Sequence, residues 1–437
     1  MLKFNQSLNP VQPGERVLQF ADYFSLWGSL GVGLLVMMAG ASLLPALSLP
    51  QAFAAIAIGS VLGAALLGYI GHIGARTGLS SAGLIRPSLG RGLSWLPVAL
   101  NIAQLIGWAL FEIIVMRDGL GLVLGSFGAN VPVAALTVLV GLVLAGLLAL
   151  AMTGFVRRFI RGIGVSLMGV ALFWLTLQTL RAGFSAGWDS VLKAGDGSIS
   201  FAAAVDLVIA MPISWLPLVA DYTRYARVPN RAFAGTALGY GLANGWCFAL
   251  GVVLAALNPG SEIMAAIILL PVGVGALALI LIDEMDNGYS DLYSASVSGH
   301  SLVPQIAVRQ LGPLLAVLAT VLALVLPVAN FADFLTKYQD FLYLIGAVFL
   351  PLFVVIGAYF QVQKGGAEKA FVWPAILAWL AGFVLYEALG GFASVQAISG
   401  LQLPQTLAPY GASLGSSLPS ALVSYALYMV LRKIIRD

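Results

Sequence analysis

The chain has 437 residues, of which 60% are hydrophobic and only 9% are charged, and its formal net charge is +3. Soluble globular proteins usually have about 25% charged residues, so this composition excludes a water-soluble domain and indicates a polytopic membrane protein. The cations are distributed over many loops instead of clustering on one face, so we do not expect a nucleic-acid partner.

Twelve apolar stretches are long enough to cross a bilayer, which takes about 20 residues per helix. They lie near 19–44, 51–71, 94–116, 131–152, 162–181, 201–222, 233–257, 272–297, 313–331, 341–361, 370–389 and 415–431. No soluble domain fits between them. We therefore expect an all-α polytopic membrane protein in which residues 1–437 form a single transmembrane domain.

The distribution of positive charge gives the topology. With the N-terminus in the cytoplasm, 17 of the 21 Lys and Arg residues fall in inside segments. The four in outside segments are Arg117, Arg181, Lys193 and Lys337. The positive-inside rule therefore favours an even number of spans with both termini in the cytoplasm.

The first predicted span contains the run Gly28-Ser29-Leu30-Gly31-Val32-Gly33 in its middle. Glycine weakens the preference for a helix, so the backbone can open here and turn its carbonyl groups inward. In a membrane, irregular backbone is tolerated only where it is buried in protein or lines a cavity. The sequence predicts a broken first helix beside a cavity.

The third predicted span carries Glu112 in the middle of a long apolar stretch. Burying an ionisable group in hydrocarbon costs roughly 2.5–3.5 kcal/mol, so the default interpretation is a functional group that faces a polar cavity. Asn101, Gln104, Trp108 and Glu112 recur three and four residues apart and share one helical face. We interpret this face as a ligand-binding face. The alternatives are that Trp108 belongs to an interfacial belt and that Gln104 only bonds to a neighbouring helix.

The sixth predicted span carries Pro212 and Pro217 on either side of Trp215. Proline removes a backbone donor and can open a helix. Two interrupted spans five apart indicate inverted five-helix repeats with a site near the membrane midplane. We expect repeats over 19–182 and 201–361, followed by two extra helices in 370–431. The alternative is that these Gly and Pro residues are tolerated without breaking either helix.

The eighth span is predicted to begin near Val272. The segment Glu262 to Leu270 has only about nine residues before Pro271, too few to cross, so we expect it to form a short re-entrant helix. The acidic run from Asp283 to Asn287 then lies at the centre of the span. If the span instead began at Ile263, these acids would mark its cytoplasmic end.

Oxygen-bearing side chains form a strip on this eighth span. Asp283, Asn287, Ser290 and Ser294 share one helical face, which suits a hard cation such as sodium or proton exchange. A transition-metal centre is not expected, because Cys247 is the only cysteine and the chain has only two histidines. No cofactor is expected beyond a coupling ion.

Four segments resemble the nucleobase:cation symporter-1 family. They are DYFSLWGSLGVG in span one, GWALFE in span three, ADYTRYAR at the end of span six and DNGYSDLYSAS in span eight. The chain is most similar to the branch of hydroxymethylpyrimidine transporters beside the cytosine permeases. The resemblance implies twelve helices with a 5+5 inverted repeat, broken helices one and six, and symport of a flat heterocycle with sodium or a proton. It also implies a bacterial cytoplasmic membrane protein with no obligate protein partner and lipid around it.

The resemblance also assigns site residues. Trp108 matches the tryptophan that stacks on the ligand ring, and Glu112 stands where other members place a ligand-binding glutamine. A protonated glutamate can both donate and accept, as an aminopyrimidine edge requires. Trp215 is a candidate for the second stacking ring, or else a packing residue. Asn287 and Gln104 are candidate substrate contacts.

The same resemblance places the coupling cation between helices one and eight. Its expected ligands are Asp283, Asp286 and Ser290, with carbonyl groups around Ser29, Gly31 and Gly33. The Asp221-Tyr222-Thr223-Arg224 run is expected to fix the cytoplasmic end of helix six rather than to contact substrate.

The function expected from these residues is cation-coupled uptake of a pyrimidine-type base by alternating access. A first alternative is an amino-acid permease of similar architecture, which would use backbone amides for a carboxylate. A second is a membrane-embedded enzyme, for which the chain has no zinc-type histidine spacing. A primary pump is excluded because no phosphate-binding glycine-rich loop occurs.

Overall fold

The structure is a computed structural model that describes residues 10–150, 165–188, 192–362 and 369–435. Within these residues it is built of α-helices and loops, with one isolated backbone bridge between Leu18 and Ala226. The helices of this described part are α1 Phe20–Leu30, α2 Leu34–Ala41, α3 Leu49–Thr77, α4 Ser81–Leu89, α5 Trp95–Ser126, α6 Val133–Ala149, α7 Val165–Ala186, α8 Phe201–Ser214, α9 Leu216–Thr223, α10 Pro229–Leu257, α11 Ile263–Leu269, α12 Gly273–Leu302, α13 Val308–Val325, α14 Phe331–Val362, α15 Trp373–Leu389, α16 Ala393–Ser399, α17 Ala408–Leu414 and α18 Ser417–Ile434.

In the described part of the chain, a helix or a helix pair lies at each of the twelve predicted spans, and seven to nine of these are long and apolar enough to cross a membrane. Seven elements are long and apolar enough to cross a membrane, namely α3, α5, α7, α8 with α9, α10, α13 and α14. Two bent pairs, α1 with α2 and α17 with α18, pass the same test. The remaining three predicted spans correspond to the shorter apolar helices α6 and α15 and to the 30-residue helix α12, which carries several acids. The expectation of an all-α polytopic membrane protein is confirmed.

Several helix ends differ from the sequence prediction. Helix α5 runs to Ser126, ten residues past the predicted end, and α14 begins at Phe331 instead of near residue 341. Both extensions contain charged side chains that bond to other groups of the protein. Arg117 donates to the carbonyl oxygen of Ala323 at 2.8 Å, and Lys337 pairs with Asp333 one turn away. The loop between the fourth and fifth predicted spans falls in 151–164, outside the described residues.

The first span is broken as predicted. Helix α1 ends at Leu30, α2 begins at Leu34, and their axes differ by 60°. The sixth span is interrupted only at Trp215, between α8 and α9, without a bend of more than 40°. Proline at 212 and 217 removes backbone donors on both sides of this residue, which explains the interruption.

The eighth span begins where the sequence predicts. Helix α11 ends at Leu269 before Pro271, and a separate helix α12 starts at Gly273. Asp283 is therefore the eleventh residue of a 30-residue helix. The alternative of one helix that starts at Ile263 and ends near the acids is wrong.

The broken first span is held tightly in the bundle. Helix α2 packs against α10, where Gly40 and Gly251 allow close approach, because a Cβ at Gly251 would overlap the carbonyl group of Met37. Helix α12 packs along α5. Backbone hydrogen bonds also join the segment before α1 to the segment after α9, since the N–H of Leu18 donates to Tyr225 at 3.1 Å and the Leu18 carbonyl accepts from Arg227 at 2.9 Å.

Candidate functional site

Two side chains from α12 bind the break in the first span. Glu284 Oε1 accepts a hydrogen bond from the backbone N–H of Leu34, the first residue of α2. Asn287 Nδ2 donates to the carbonyl oxygen of Val32 at 3.2 Å. A helix N-terminus has free N–H donors and a partial positive charge, which a carboxylate satisfies. The break is therefore attached directly to the centre of α12.

Glu112 of α5 and Glu284 of α12 are both buried where these two helices pack together, with exposed fractions of 4% and 0%. No N–H or O–H donor of the described residues reaches Oε2 of either acid. Each of the two helices therefore contributes one buried acid to their interface.

Two indole rings stand near these acids. The Trp108 ring lies 5.9 Å from the Tyr338 ring and 5.4 Å from the Phe341 ring, measured between centroids. The Trp215 ring lies 6.0 Å from Trp27. These contacts are edge-on, with interplanar angles of 72–83°, so none of them covers an indole face by parallel stacking.

A small cavity brings together four of the five predicted substrate residues. Its lining comes from α1, α2, the break, α5, α8, Trp215, α10 and α12: Leu30, Val32, Gly33, Leu35, Val36, Trp108, Glu112, Met211, Trp215, Tyr240, Asn287 and Asp291. The free volume is about 20 Å³, room for the centre of roughly one water molecule. A ring-sized ligand therefore requires the walls to move apart.

Gln104 lies beside this cavity rather than in its lining. Its Nε2 donates to Asn101 Oδ1 at 3.0 Å and to the carbonyl oxygen of Ser214 at 2.9 Å. Ser214 is the last residue of α8, directly before the interruption at Trp215. Gln104 therefore attaches α5 to the interrupted sixth span, which is the neighbouring-helix alternative considered for this residue.

The six residues predicted to bind a cation are all buried, but they do not all face α12. Gly33 faces Glu284 and Asn287, whereas Gly31 faces Ala243 and Tyr240 of α10. Ser29 lies in α1, and Asp283, Asp286 and Ser290 are buried on α12. In the described part of the chain, His, Cys, Asp and Glu side chains form no group of three or more that could hold a metal ion.

A wider cavity opens toward the end of the bundle that carries Arg117 and Glu262. It has a volume of about 260 Å³ and reaches Ile114 and Phe334 at its inner end. The Phe334 ring lies 6.2 Å from Tyr338, which contacts Trp108. We call this wider cavity the vestibule. The aromatic rings of Phe334 and Tyr338 in α14 lie between the vestibule and the small cavity.

A family model described as "Permease for cytosine/purines, uracil, thiamine, allantoin" matches residues 10–386. The chain belongs to this family. The cytosine permease of Escherichia coli O157:H7 is 27% identical over 381 residues, which cover 83% of this chain and 84% of that protein. The resemblance drawn from the sequence motifs is confirmed, and because the family consists of permeases, the chain is a transporter and not an enzyme.

Solved structures show the same fold. Mhp1, a nucleobase-cation-symport-1 family transporter in a closed conformation with bromovinylhydantoin bound, superposes with a TM-score of 0.75 at 15% identity, covering 99% of this chain and 96% of Mhp1. A Na⁺-coupled sialic acid symporter, in a substrate-bound outward-open state, gives a TM-score of 0.63 at 14% identity, with 97% and 91% coverage. The permease is thus a multi-pass membrane protein with this shared transporter fold.

Sequence reasoning missed three polar groups of the permease's site. Glu284 stands at the break, and Tyr240 and Asp291 line the cavity. Glu284, Asn287 and Asp291 are spaced at i, i+3 and i+7, so they form a helical face as regular as the predicted face from Asp283. Only the neighbouring helices decide which face points inward.

Asp221 has a structural place in the permease. Its Oδ1 accepts a hydrogen bond from the backbone N–H of Ser81 at 3.0 Å, and the Ser81 hydroxyl accepts one from the N–H of Ala220 at 3.2 Å. These bonds attach α9 to the start of α4. Asp221 does not line the cavity, in agreement with the expectation that it fixes the end of the sixth helix.

Proposed function

We propose that the permease takes up a pyrimidine-type nucleobase or vitamin precursor together with a cation, by alternating access. The observation that carries the proposal is the cavity itself, where two indole rings, two carboxyl groups and an amide meet at a break in a membrane helix. Indole faces stack on flat heterocycles, and the polar groups bind the edge of the ring. The cytosine permeases among its relatives support this substrate class.

Each substrate residue has a proposed role. Trp108 and Trp215 stack on the two faces of the ring, and Glu112 and Asn287 bind its edge. Gln104 positions the interrupted sixth span through Ser214. Because the cavity holds about one water in this conformation, substrate binding expands it, and the expansion is coupled to movement of the vestibule rings of α14.

The coupling cation, sodium or a proton, is proposed to act where α12 meets the broken first span. The candidate ligands are Ser29, Gly31, Gly33, Asp283, Asp286 and Ser290. A cation at this contact changes how firmly α12 holds the break, so it shifts the equilibrium between outward and inward states. By linkage, substrate and cation then strengthen each other's binding.

The wider organisation is proposed on the same basis. Inverted repeats span 19–182 and 201–361, helices in 370–431 are additional, and both termini lie in the cytoplasm of a bacterium. The single chain functions with a small heterocyclic substrate and membrane lipid as its partners. An amino-acid permease is less well supported, because the Leu34 amide that would bind a carboxylate is occupied by Glu284.

The test is uptake of radiolabelled cytosine into proteoliposomes, with sodium and pH gradients imposed separately. We expect saturable uptake that follows one of the two gradients. Trp108→Leu should lower the apparent affinity by about tenfold or more, since base stacking on an aromatic ring contributes roughly 1–3 kcal/mol. Trp373→Leu is the matched control, because Trp373 is 50% exposed on the outside of the bundle.

Three results would contradict the proposal. Uptake of cytosine, uracil and adenine no greater than in protein-free liposomes would refute a nucleobase substrate. Saturable uptake that ignores both gradients would refute symport. Equal effects of the Trp108 and Trp373 variants would remove the stacking role of Trp108.

A further inference from the structure

Helix α18 is capped by a side chain from another helix. Its own N-cap residue, Ser416, makes no side-chain bond to the first turn. The carboxylate of Asp206 in α8 takes this place, since it accepts the backbone N–H groups of Ser416 and, at 3.1 Å, of Ser417. The first N–H groups of a helix have no intrahelical partner and carry partial positive charge, which a carboxylate satisfies. The cap therefore comes from a residue 210 positions earlier in the chain.

The chain before α18 is shaped to this contact. Gly415 has a φ of 71°, in the left-handed region that favours glycine, and a Cβ there would come within 2.9 Å of Asp206 Oδ2. A side chain at this position would therefore displace the carboxylate. Asp206 is also buried, with an exposed fraction of 5%. Because a buried carboxylate is costly unless it is hydrogen-bonded, the position of α8 at Asp206 is tied to the start of α18.

Helix α18 is itself held by its neighbours. Ser420 Oγ donates to the carbonyl oxygen of Gly382 in α15 at 2.9 Å, and Trp379 Nε1 of α15 donates to a carbonyl oxygen of α14 at 2.9 Å. The segment 369–372, which leads into α15, forms backbone hydrogen bonds with residues 89–92, where α4 ends. The helices from α15 to α18 are thus bonded to the rest of the bundle at several places, so they can support α8.

The other end of α8 leads to the small cavity. Met211 of α8 lines that cavity, and Trp215 follows directly after the helix and lines it as well. A helix rises 1.5 Å per residue, so Asp206 lies only about 7.5 Å from Met211 along the axis. A shift of α8 at Asp206 therefore moves two walls of the cavity, although Asp206 does not line it.

We propose that Asp206 is a positioning residue that holds α8 to the C-terminal helices, so that α8 and α18 move as one body during transport. It acts on the ligand through Met211 and Trp215 and does not contact it. Without the bonds to α18, α8 occupies additional positions, and the apparent affinity for the ligand falls with the fraction of molecules in the competent position. This effect on affinity rests on the proposed function, whereas the attachment of α8 to α18 does not.

Hydrogen exchange tests the attachment without a substrate, on the purified full-length permease. Asp206→Asn keeps the size of the side chain but turns one acceptor into an N–H₂ group that opposes a backbone N–H. We expect exchange in peptides that cover residues 201–215 to become roughly tenfold faster, because opening of α8 no longer breaks charged hydrogen bonds. Asp196→Asn is the matched control, because Asp196 is exposed and accepts only from nearby Ser198. Unchanged exchange in Asp206→Asn, or an equal increase in Asp196→Asn, overturns the proposal.

A covalent bridge tests whether α8 and α18 stay together during transport. A Cβ at residue 415 would lie 3.3 Å from Asp206 Cγ, close to the spacing of disulfide-bonded side chains. The double variant Asp206→Cys with Gly415→Cys, when reduced, should take up cytosine into proteoliposomes with a KM about fivefold or more above the wild type. Oxidation should restore the KM, because the bridge replaces the lost bonds, and Asp206→Cys alone should not respond to oxidation.

The outcomes of the bridge experiment are decisive in both directions. Recovery of the KM with continued uptake supports one moving body. Loss of uptake on oxidation shows that α8 must separate from α18, and a wild-type KM in the reduced double variant shows that Asp206 does not position the cavity; either result overturns the proposal. Failure of the proposed function is distinguishable, because the wild type would then take up no base while the exchange measurement still decides whether Asp206 holds α8.

Discussion

Removing the Glu284 carboxyl group should loosen the start of α2. In Glu284→Ala the N–H of Leu34 loses its acceptor while it remains buried at the break. A hydrogen bond to a charged group contributes about 1.5–3 kcal/mol. Since 1.4 kcal/mol corresponds to a factor of ten, the Leu34 amide should exchange its proton roughly 10- to 150-fold faster.

The measurement is hydrogen exchange by mass spectrometry on peptides that cover residues 31–37. Glu284→Gln retains a neutral acceptor, and a neutral hydrogen bond contributes about 1 kcal/mol less than a charged one, so its exchange should be about fivefold faster than wild type. Glu262→Ala is the matched control, because Glu262 precedes α11 and does not line the small cavity. Its exchange at the break should equal that of the wild type.

One outcome would refute this account of the break. If Glu284→Ala changed exchange in these peptides by less than about twofold, the carboxylate would not hold the end of α2. The same result would remove the reason for connecting α12 to the first span in the coupling proposal. Faster exchange in Glu262→Ala of the same size would instead indicate a general loss of stability.

Two further variants test the packing of the bundle. Asp206→Ala should lower the melting temperature and increase exchange at the start of α18, because Ser416 and Ser417 lose their buried acceptor; unchanged exchange there would contradict it. Gly251→Ala should destabilise the protein by about 1–3 kcal/mol in a thermal melt, because the added Cβ would overlap the backbone of α2. Gly146→Ala is its control and should be neutral or slightly stabilising, because the space around this Cβ is open. Equal effects of the two glycine variants would show that the close approach is unimportant.

The positions of glycine and proline in the sequence were sufficient to predict the main interruptions of the helices. Glycines at 31 and 33 predict the break in the first span, and Pro271 predicts the separation of α11 from α12, which the structure confirms. Both interruptions follow from the backbone conformations that glycine and proline allow. They can therefore be predicted without knowing which helices pack nearby. The spacing of Trp108 and Glu112 likewise follows from helical geometry alone, and both residues line the cavity.

The inward face of α12 could not be predicted in the same way. Acids occupy both possible faces of this helix, and sequence periodicity favours neither. The choice is made by α5 and the broken span, which bring Glu112 and the Leu34 amide to Glu284. The end of α5 could not be predicted for a related reason, because Arg117 resembles a loop charge until its distant partner Ala323 is known. The start of α14 is different, since the i,i+4 pair of Asp333 and Lys337 is already visible in the sequence.

The backbone pairing of Leu18 with Tyr225 and Arg227 connects the segment before α1 to the segment after α9. Main-chain hydrogen bonds depend little on side-chain identity, so this linkage can persist while the residues around the ligand are exchanged. None of these three residues lines the small cavity. Substitutions that change which cargo is bound can therefore leave this connection between the two interrupted spans intact.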